Sequence, residues 1–165
     1  TSALKEFSAA DCGFSYRSSI FKTHPELVIL SAQLRLIAGD ATLLARIAAD
    51  TIAKREAKHP QKALCAGSFF MNPEVSDEKL RAEFTHDTGQ AAKDGKRPAG
   101  WLIDQAGLRG KKIGGACMSP QHPNYLVNLG TATAEDVIML ASVVKERVRS
   151  ELGVQLREEV QLVGF

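Results

Sequence analysis

Apolar and polar positions alternate most regularly between residues 27 and 36. Val28, Leu30, Ala32, Leu34 and Leu36 share one parity, with Ile29, Ser31, Gln33 and Arg35 on the other. This is the pattern of a strand with one strongly apolar side. Gly39-Asp40 then marks a turn into a helix, with Asp40 as its N-cap. From 41 to 57 the period becomes helical through Leu43, Leu44, Ile47, Ala48 and Ile52, and Pro60 closes the helix just beyond its end.

The pattern turns irregular over 63–73, where small residues adjoin Phe69 and Phe70 and Asn72-Pro73 makes a turn. Residues 74–97 are polar and read as a surface excursion with a helical segment near Asp77 to Phe84 and a turn at Asp94-Gly95. Pro98 suits the first turn of a helix carrying Trp101, Leu102, Ile103 and Ala106, capped by Gly107. Residues 112–119 and 124–128 read as two strands around a loop holding Pro120 and Pro123. Thr133 and Asp136 have capping-box spacing. The helix they open, over 133–151, places Val137, Ile138, Leu140, Ala141, Val144 and Val148 on one face and stops at Gly153. Residues 154–163 read as a final strand. This order of elements predicts an α+β fold.

The composition is that of a globular chain: 165 residues, 44% hydrophobic and 24% charged. Lys+Arg 21 against Asp+Glu 19 leaves +2, too little for a polyanion partner, so nucleic acid is not expected. The three cysteines, Cys12, Cys65 and Cys117, are an odd number without a CxxC pair, and they read as free packing thiols in a reducing compartment. The histidines show no metal-ligand spacing, so no metal is expected. The most apolar stretch, 27–38, is interrupted by Ser31, Gln33 and Arg35 and is too short for a membrane helix. With no signal peptide at its start, the chain is expected to be soluble and cytoplasmic. The absence of an initiator Met points to processing or to a cut chain, and the oligomeric state is not readable.

No dinucleotide fingerprint, P-loop or GxSxG elbow is present, and Gly107, Gly110, Gly114 and Gly115 are scattered. Three places could carry chemistry. Arg17 in Tyr16-Arg17-Ser18-Ser19 is a surface charge or an anion-binding fork. Ser68 between Gly67 and two aromatics is a turn residue capping a backbone donor or a reactive hydroxyl. Of Glu158 and Glu159, strand alternation puts the first with Leu156 and Val160 and the second on the opposite face.

Taken together, the segments Cys12 to Lys22, Ala66-Gly-Ser-Phe-Phe-Met-Asn-Pro73, Ala99-Gly-Trp-Leu-Ile-Asp-Gln-Ala-Gly-Leu-Arg-Gly110, Ile113-Gly-Gly-Ala116 and Leu156 to Gly164 resemble the C-terminal part of the UDP-N-acetylenolpyruvoylglucosamine reductase family. The resemblance spans nearly the whole chain. It implies that residues 1–38 end an FAD-binding domain, that 39–59 form a connecting helix, and that 60–165 form the UDP-sugar substrate-binding domain. It implies flavin-dependent, NADPH-driven reduction of UDP-N-acetylglucosamine enolpyruvate to UDP-N-acetylmuramate, in peptidoglycan precursor synthesis. FAD and NADPH would be bound mainly by an N-terminal portion outside this chain, leaving the chain alone a nucleotide-sugar binding module.

Position by position, the resemblance places the catalytic Arg on Arg17, the proton-donating Ser on Ser68 and the catalytic Glu on Glu159. Lys58, Asn72 and His122 fall on substrate-binding positions. Met71 stands where a Lys is common, Glu158 where a Pro is common and Ser15 where a Gly is common. The missing cation at Met71 bears on affinity for the nucleotide sugar.

Overall fold

A computed structural model of the chain describes residues 3–91 and 93–164. They form an α+β fold whose residues up to Ala45 and from Arg46 onward make two compact units, the division falling within helix α2. The first unit holds a short helix, α1 (Ile20–Thr23), joined to the preceding turn by Ile20 N–H donating to the Cys12 carbonyl at 3.0 Å. Residues 27–36, expected as a strand, are in no strand and unpaired among the described residues. Their alternation is real, yet a strand exists only as one side of a ladder. Here Val28, Leu34 and Leu36 are 76%, 79% and 84% exposed. Periodicity records which face would be covered, not whether a partner covers it.

Helix α2 (Ala41–Lys58) begins as expected, with the Asp40 carboxylate accepting from Leu43 N–H at 2.7 Å. Its apolar stripe of Leu43, Leu44, Ile47 and Ile52 is exposed. The second unit is built on a four-stranded antiparallel sheet in the order β1-β4-β3-β2. The strands are β1 (Leu64–Ser68), β2 (Lys112–Ile113), β3 (Ala116–Met118) and β4 (Tyr125–Asn128). Strand β1 was hidden in the sequence by its Ala-Gly-Ser composition, which lacks β-branched residues. The expected strand 112–119 is instead a hairpin turning at Gly114-Gly115, a dipeptide that suits such a turn.

Among the described residues, α3 (Glu78–Thr88), α4 (Ala99–Gln105) and α5 (Ala134–Leu152) belong to the same unit. Pro98 stands at the N-cap of α4, one position earlier than expected, and Gly107 follows the Ala106 C-cap with φ +67°. The capping box of α5 is present, with Thr133 Oγ1 accepting from Asp136 N–H and the Asp136 carboxylate from Thr133 N–H. Leu140, Ala141, Val144 and Val148 face a core shared with Leu102, Ile103, Leu108, Met118 and Leu126. The pleat sends Cys117, Tyr125 and Val127 to the other side of the sheet, where they form a second cluster.

Residues 154–163 do not form the expected strand. Val154 and Leu156 are buried in alternation, but pairing is confined to a single bridge between Phe70 and Glu158. The partner segment is short because Asn72-Pro73 turns away and Pro73 has no N–H to continue a ladder.

Candidate active site

Strand β1 carries a bulge that decides where Ser68 points. Cys65 pairs with Val127 but Ser68 pairs with Tyr125, so three steps along β1 oppose two along β4. The extra residue is absorbed where Gly67 adopts φ +85°. Since strand faces alternate with period two, one inserted residue switches the face on which every later side chain emerges. Ser68 therefore stands at the open end of the sheet, beside the start of β4.

Asn124, 3% exposed, extends the sheet beyond β4 with its side chain. Its main-chain carbonyl accepts from Phe69 N–H at 2.7 Å, its Oδ1 from Phe70 N–H at 3.0 Å, and its Nδ2 donates to the Phe70 carbonyl at 2.9 Å. On the other side, Glu159 N–H donates to the Phe69 carbonyl at 2.8 Å and Met71 N–H to the Arg157 carbonyl at 2.9 Å. The main chains at Ser68 and Glu159 thus lie within one residue of each other in the pairing, although 91 positions separate them in sequence (159 − 68). Sequence reading missed Asn124, because an Asn after His-Pro looks like an ordinary loop residue. Asn124→Ala is expected to destabilise the unit by about 3 kcal/mol, since two buried Phe70 backbone groups lose their partners. Urea denaturation checks this.

The two adjacent glutamates are separated by their partners. Glu158 Oε1 accepts from Lys145 Nζ of α5 at 2.8 Å. Burial opposes its charge, but the Lys145 hydrogen bond, its own backbone bond and the Lys145 charge outweigh that and hold the carboxyl below the usual range. Glu158 is thus engaged in an ion pair with the core-packed helix, while Glu159 belongs to the segment beside Ser68.

The cluster around Tyr125 gathers two of the expected binding positions. The His122 ring stacks on His59 with centroids 4.8 Å apart and 22° between planes, and meets Tyr125 edge-on at 4.8 Å. His122 Nδ1 accepts from Asn124 N–H at 3.3 Å. Gln121 Nε2 donates to the Glu56 and Ala57 carbonyls at 3.1 and 3.3 Å, tying the 119–125 loop to the C-terminus of α2, where Lys58 is exposed. Asn72 has a scaffold duty: its Oδ1 accepts from Ala99 N–H at 2.9 Å and closes the N-terminus of α4. His59 was not foreseen as a member of this cluster, since its ring partner is distant in sequence.

Burial pushes the His59 imidazole below its ordinary pKa, aided by Arg55 and Lys58. Burial does the same to His122, aided by His59 and Arg109. Both are neutral at neutral pH, so His122 offers a hydrogen-bonding group rather than a cation. Such imidazoles bind fewer protons folded than unfolded. Their contribution to stability is complete above the ordinary histidine value of about 6.5 and is lost as pH falls from there toward the depressed folded values. We expect the urea midpoint to decline over that window and the decline to flatten in His59→Gln.

Arg17 lies in the first unit, in a turn where Ser15 and Ser18 exchange backbone hydrogen bonds of 3.0 and 3.1 Å. It adopts φ +56°, uncommon for a residue with a Cβ. Its carbonyl accepts from Lys22 Nζ at 2.9 Å and its guanidinium lies 5.7 Å from the Tyr16 ring. All three cysteines are free thiols, and no helix among the described residues is long and apolar enough to cross a membrane.

Comparison with known proteins bears on this arrangement. Residues 59–163 match the family model described as UDP-N-acetylenolpyruvoylglucosamine reductase, C-terminal domain. The chain is 37% identical over 163 residues to the UDP-N-acetylenolpyruvoylglucosamine reductase of Solibacter usitatus, covering 99% of this chain and 52% of that protein. It is 40% identical to the one of Paracoccus denitrificans, covering 98% and 49%. The crystal structure of UDP-N-acetylenolpyruvylglucosamine reductase (MurB) from Thermus caldophilus superposes with a TM-score of 0.63 at 30% identity, covering 94% of this chain and 47% of that one. The chain spans about half the length of the curated relatives it matches. The bulged Ser68 strand and the segment bearing Glu159 both fall inside the matched region, and the chain belongs to the UDP-N-acetylenolpyruvoylglucosamine reductase family, of which it carries the C-terminal domain.

Proposed function

We propose that this chain supplies the substrate-binding half of a reductase that converts UDP-N-acetylglucosamine enolpyruvate to UDP-N-acetylmuramate in peptidoglycan precursor synthesis, in the cytoplasm. The observation that carries this reading is the pairing of Ser68's neighbour Phe69 with Glu159, at the end of the sheet where His122 and Tyr125 also gather. Residues 60–165 would hold the substrate, 39–59 would connect, and 1–38 would close the cofactor domain. By itself the chain would act as a nucleotide-sugar binding module.

FAD, the cofactor implied, needs a cradle for its pyrophosphate, for which uncapped helix N-termini are suited. Here the termini of α2, α3, α4 and α5 are closed from within, and α1 is a single turn. Asp40 accepts from Leu43 N–H, Asp77 from Leu80 N–H at 2.8 Å, and Asn72 from Ala99 N–H, while Thr133 and Asp136 close α5. The carboxylates at Asp40, Asp77 and Asp136 would repel a phosphate. The described residues do not fit the dinucleotide on their own, and we assign FAD and NADPH to the portion of the protein outside this chain.

The residues of this chain act on the substrate. Reduction of an enolpyruvyl ether at its β-carbon leaves enolate-like negative charge toward the carboxylate end. The fork of Arg17 and the Glu159 carboxyl would meet that charge, and the Ser68 hydroxyl would deliver the proton to the α-carbon. Lys58 would provide a cation for the nucleotide sugar, and Asn72 and neutral His122 polar contacts. With Met71 in place of a Lys, fewer charges hold the diphosphate. Amide NMR of this chain tests the reading. UDP-N-acetylglucosamine enolpyruvate should shift Ser68, His122 and Glu159, whereas FAD should not bind stoichiometrically. Stoichiometric flavin on this chain, or substrate shifts that avoid these residues, would overturn it.

A further inference from the structure

Outside the site described above, helix α3 and the segment leading into α4 enclose an open pocket of about 570 Å³ lined by Arg81, Thr85, His86, Ala91, Gly95 and Arg97. We propose that it binds a phosphate group, with Arg97 as the buried anchor and Arg81 as the second cation.

Arg97 is 2% exposed, and its Nε is buried without a hydrogen-bond partner. Among the described residues its Nη1 reaches the neighbouring Lys96 carbonyl, at 3.2 Å, and its guanidinium lies 5.2 Å from the Phe84 ring. The main chain fixes this placement, since Arg97 N–H donates to the Pro73 carbonyl at 3.0 Å and Val75 N–H to the Gly95 carbonyl at 3.3 Å. A buried guanidinium keeps its charge under all ordinary conditions, so it requires a counter-charge. The aromatic ring supplies part of this, but a ring face cannot accept from Nε in the guanidinium plane.

Three acidic residues of this region are held by other partners. Glu74 pairs with Lys96 at 3.5 Å and Glu83 with Lys79 at 3.9 Å. Asp87 directs one oxygen to Trp101 Nε1 and Gln105 Nε2, at 3.2 and 3.0 Å, and the other to His86 Nδ1 at 3.4 Å. Among the described residues the lining therefore carries two guanidiniums, an imidazole and the Thr85 hydroxyl, which donates to the Arg81 carbonyl, with no carboxylate. Arg81 also bears on the charge of Arg97, which burial and the Arg81 charge together disfavour. A dianionic phosphate answers both guanidiniums through their planar forks. The openness of the site to solvent suits inorganic phosphate or the phosphoryl end of a larger monoester equally.

The test follows the Arg97 Nε–H resonance of this chain while inorganic phosphate, and separately a sugar phosphate monoester, is titrated at constant ionic strength. A saturable shift with either probe supports the proposal, and the tighter probe names the source of the phosphate. Arg81→Ala, an exposed change that leaves the fold intact, should weaken binding about tenfold. Arg97→Lys should weaken it further, because the ammonium keeps the charge but loses the fork. No saturable shift with either probe, equal shifts from added chloride, or undiminished affinity in Arg81→Ala would overturn it.

Discussion

Ser68→Ala, introduced into the full-length protein, should slow substrate reduction by about 100- to 10,000-fold, the range over which a positioned proton donor contributes. Reduction of the enzyme by NADPH should remain nearly unchanged, because that half-reaction takes no proton from Ser68. The substitution removes one hydroxyl from the end of β1 and leaves the bulge at Gly67 and the Asn124 pairing in place, since these use main-chain groups and the Asn124 side chain, not the Ser68 hydroxyl. Substrate affinity should therefore change far less than turnover. Ser68→Cys, which keeps a proton donor at the same position, should recover part of the rate. Stopped-flow measurement of the two half-reactions separates the outcomes. If both fell together, Ser68 would be supporting the site rather than protonating carbon.

The largest effect on stability is expected at Gly115. A Cβ there would lie 2.3 Å from Ala132 N and 2.4 Å from Thr131 C, both main-chain atoms of the loop that opens α5. Neither can rotate away as a side-chain tip could. Gly115 N–H also donates to the Asp136 carboxylate at 3.1 Å, and its carbonyl accepts from Leu129 N–H at 2.9 Å. Moving the hairpin aside would break these bonds and disturb the α5 capping box together. Gly115→Ala should cost about 4 kcal/mol, at the upper end for a single added methyl. Gly110→Ala is the control, because its Cβ would meet open space and only its φ of +73° opposes the change. That variant should lose about 1 kcal/mol. Urea midpoints of the two variants decide the matter, and similar losses would mean that the loop yields easily.

The helices were legible because their signals are local. Asp40, Asp77, Thr133 with Asp136, and Gly153 each act within a turn of the residues they cap, so spacing alone located α2, α3 and α5. Strands depend on partners, and there sequence reading both overstated and understated. Residues 27–36 alternate without a ladder, whereas Leu64, Cys65 and Ser68 pair with β4 across a bulge despite a composition that hides them. The bulge that orients Ser68 could not be read either, because it is a mismatch in register between two segments. For the same reason motif resemblance marked Ser68, Glu159 and His122, but not Asn124 or His59, whose roles arise from contacts across the fold. The Asn72 cap on α4 was likewise invisible, since it spans 27 positions.

The central claim is that Arg17, Ser68 and Glu159 serve one reacting end of one substrate. The structure of the full-length protein with UDP-N-acetylglucosamine enolpyruvate bound tests this most directly. The expected result is the Ser68 hydroxyl within hydrogen-bonding reach of the enolpyruvyl α-carbon, with Arg17 and Glu159 on the adjoining carboxylate. A substrate seated with its enolpyruvyl group away from Ser68, or with Arg17 or Glu159 beyond contact of that group in the closed complex, would contradict it.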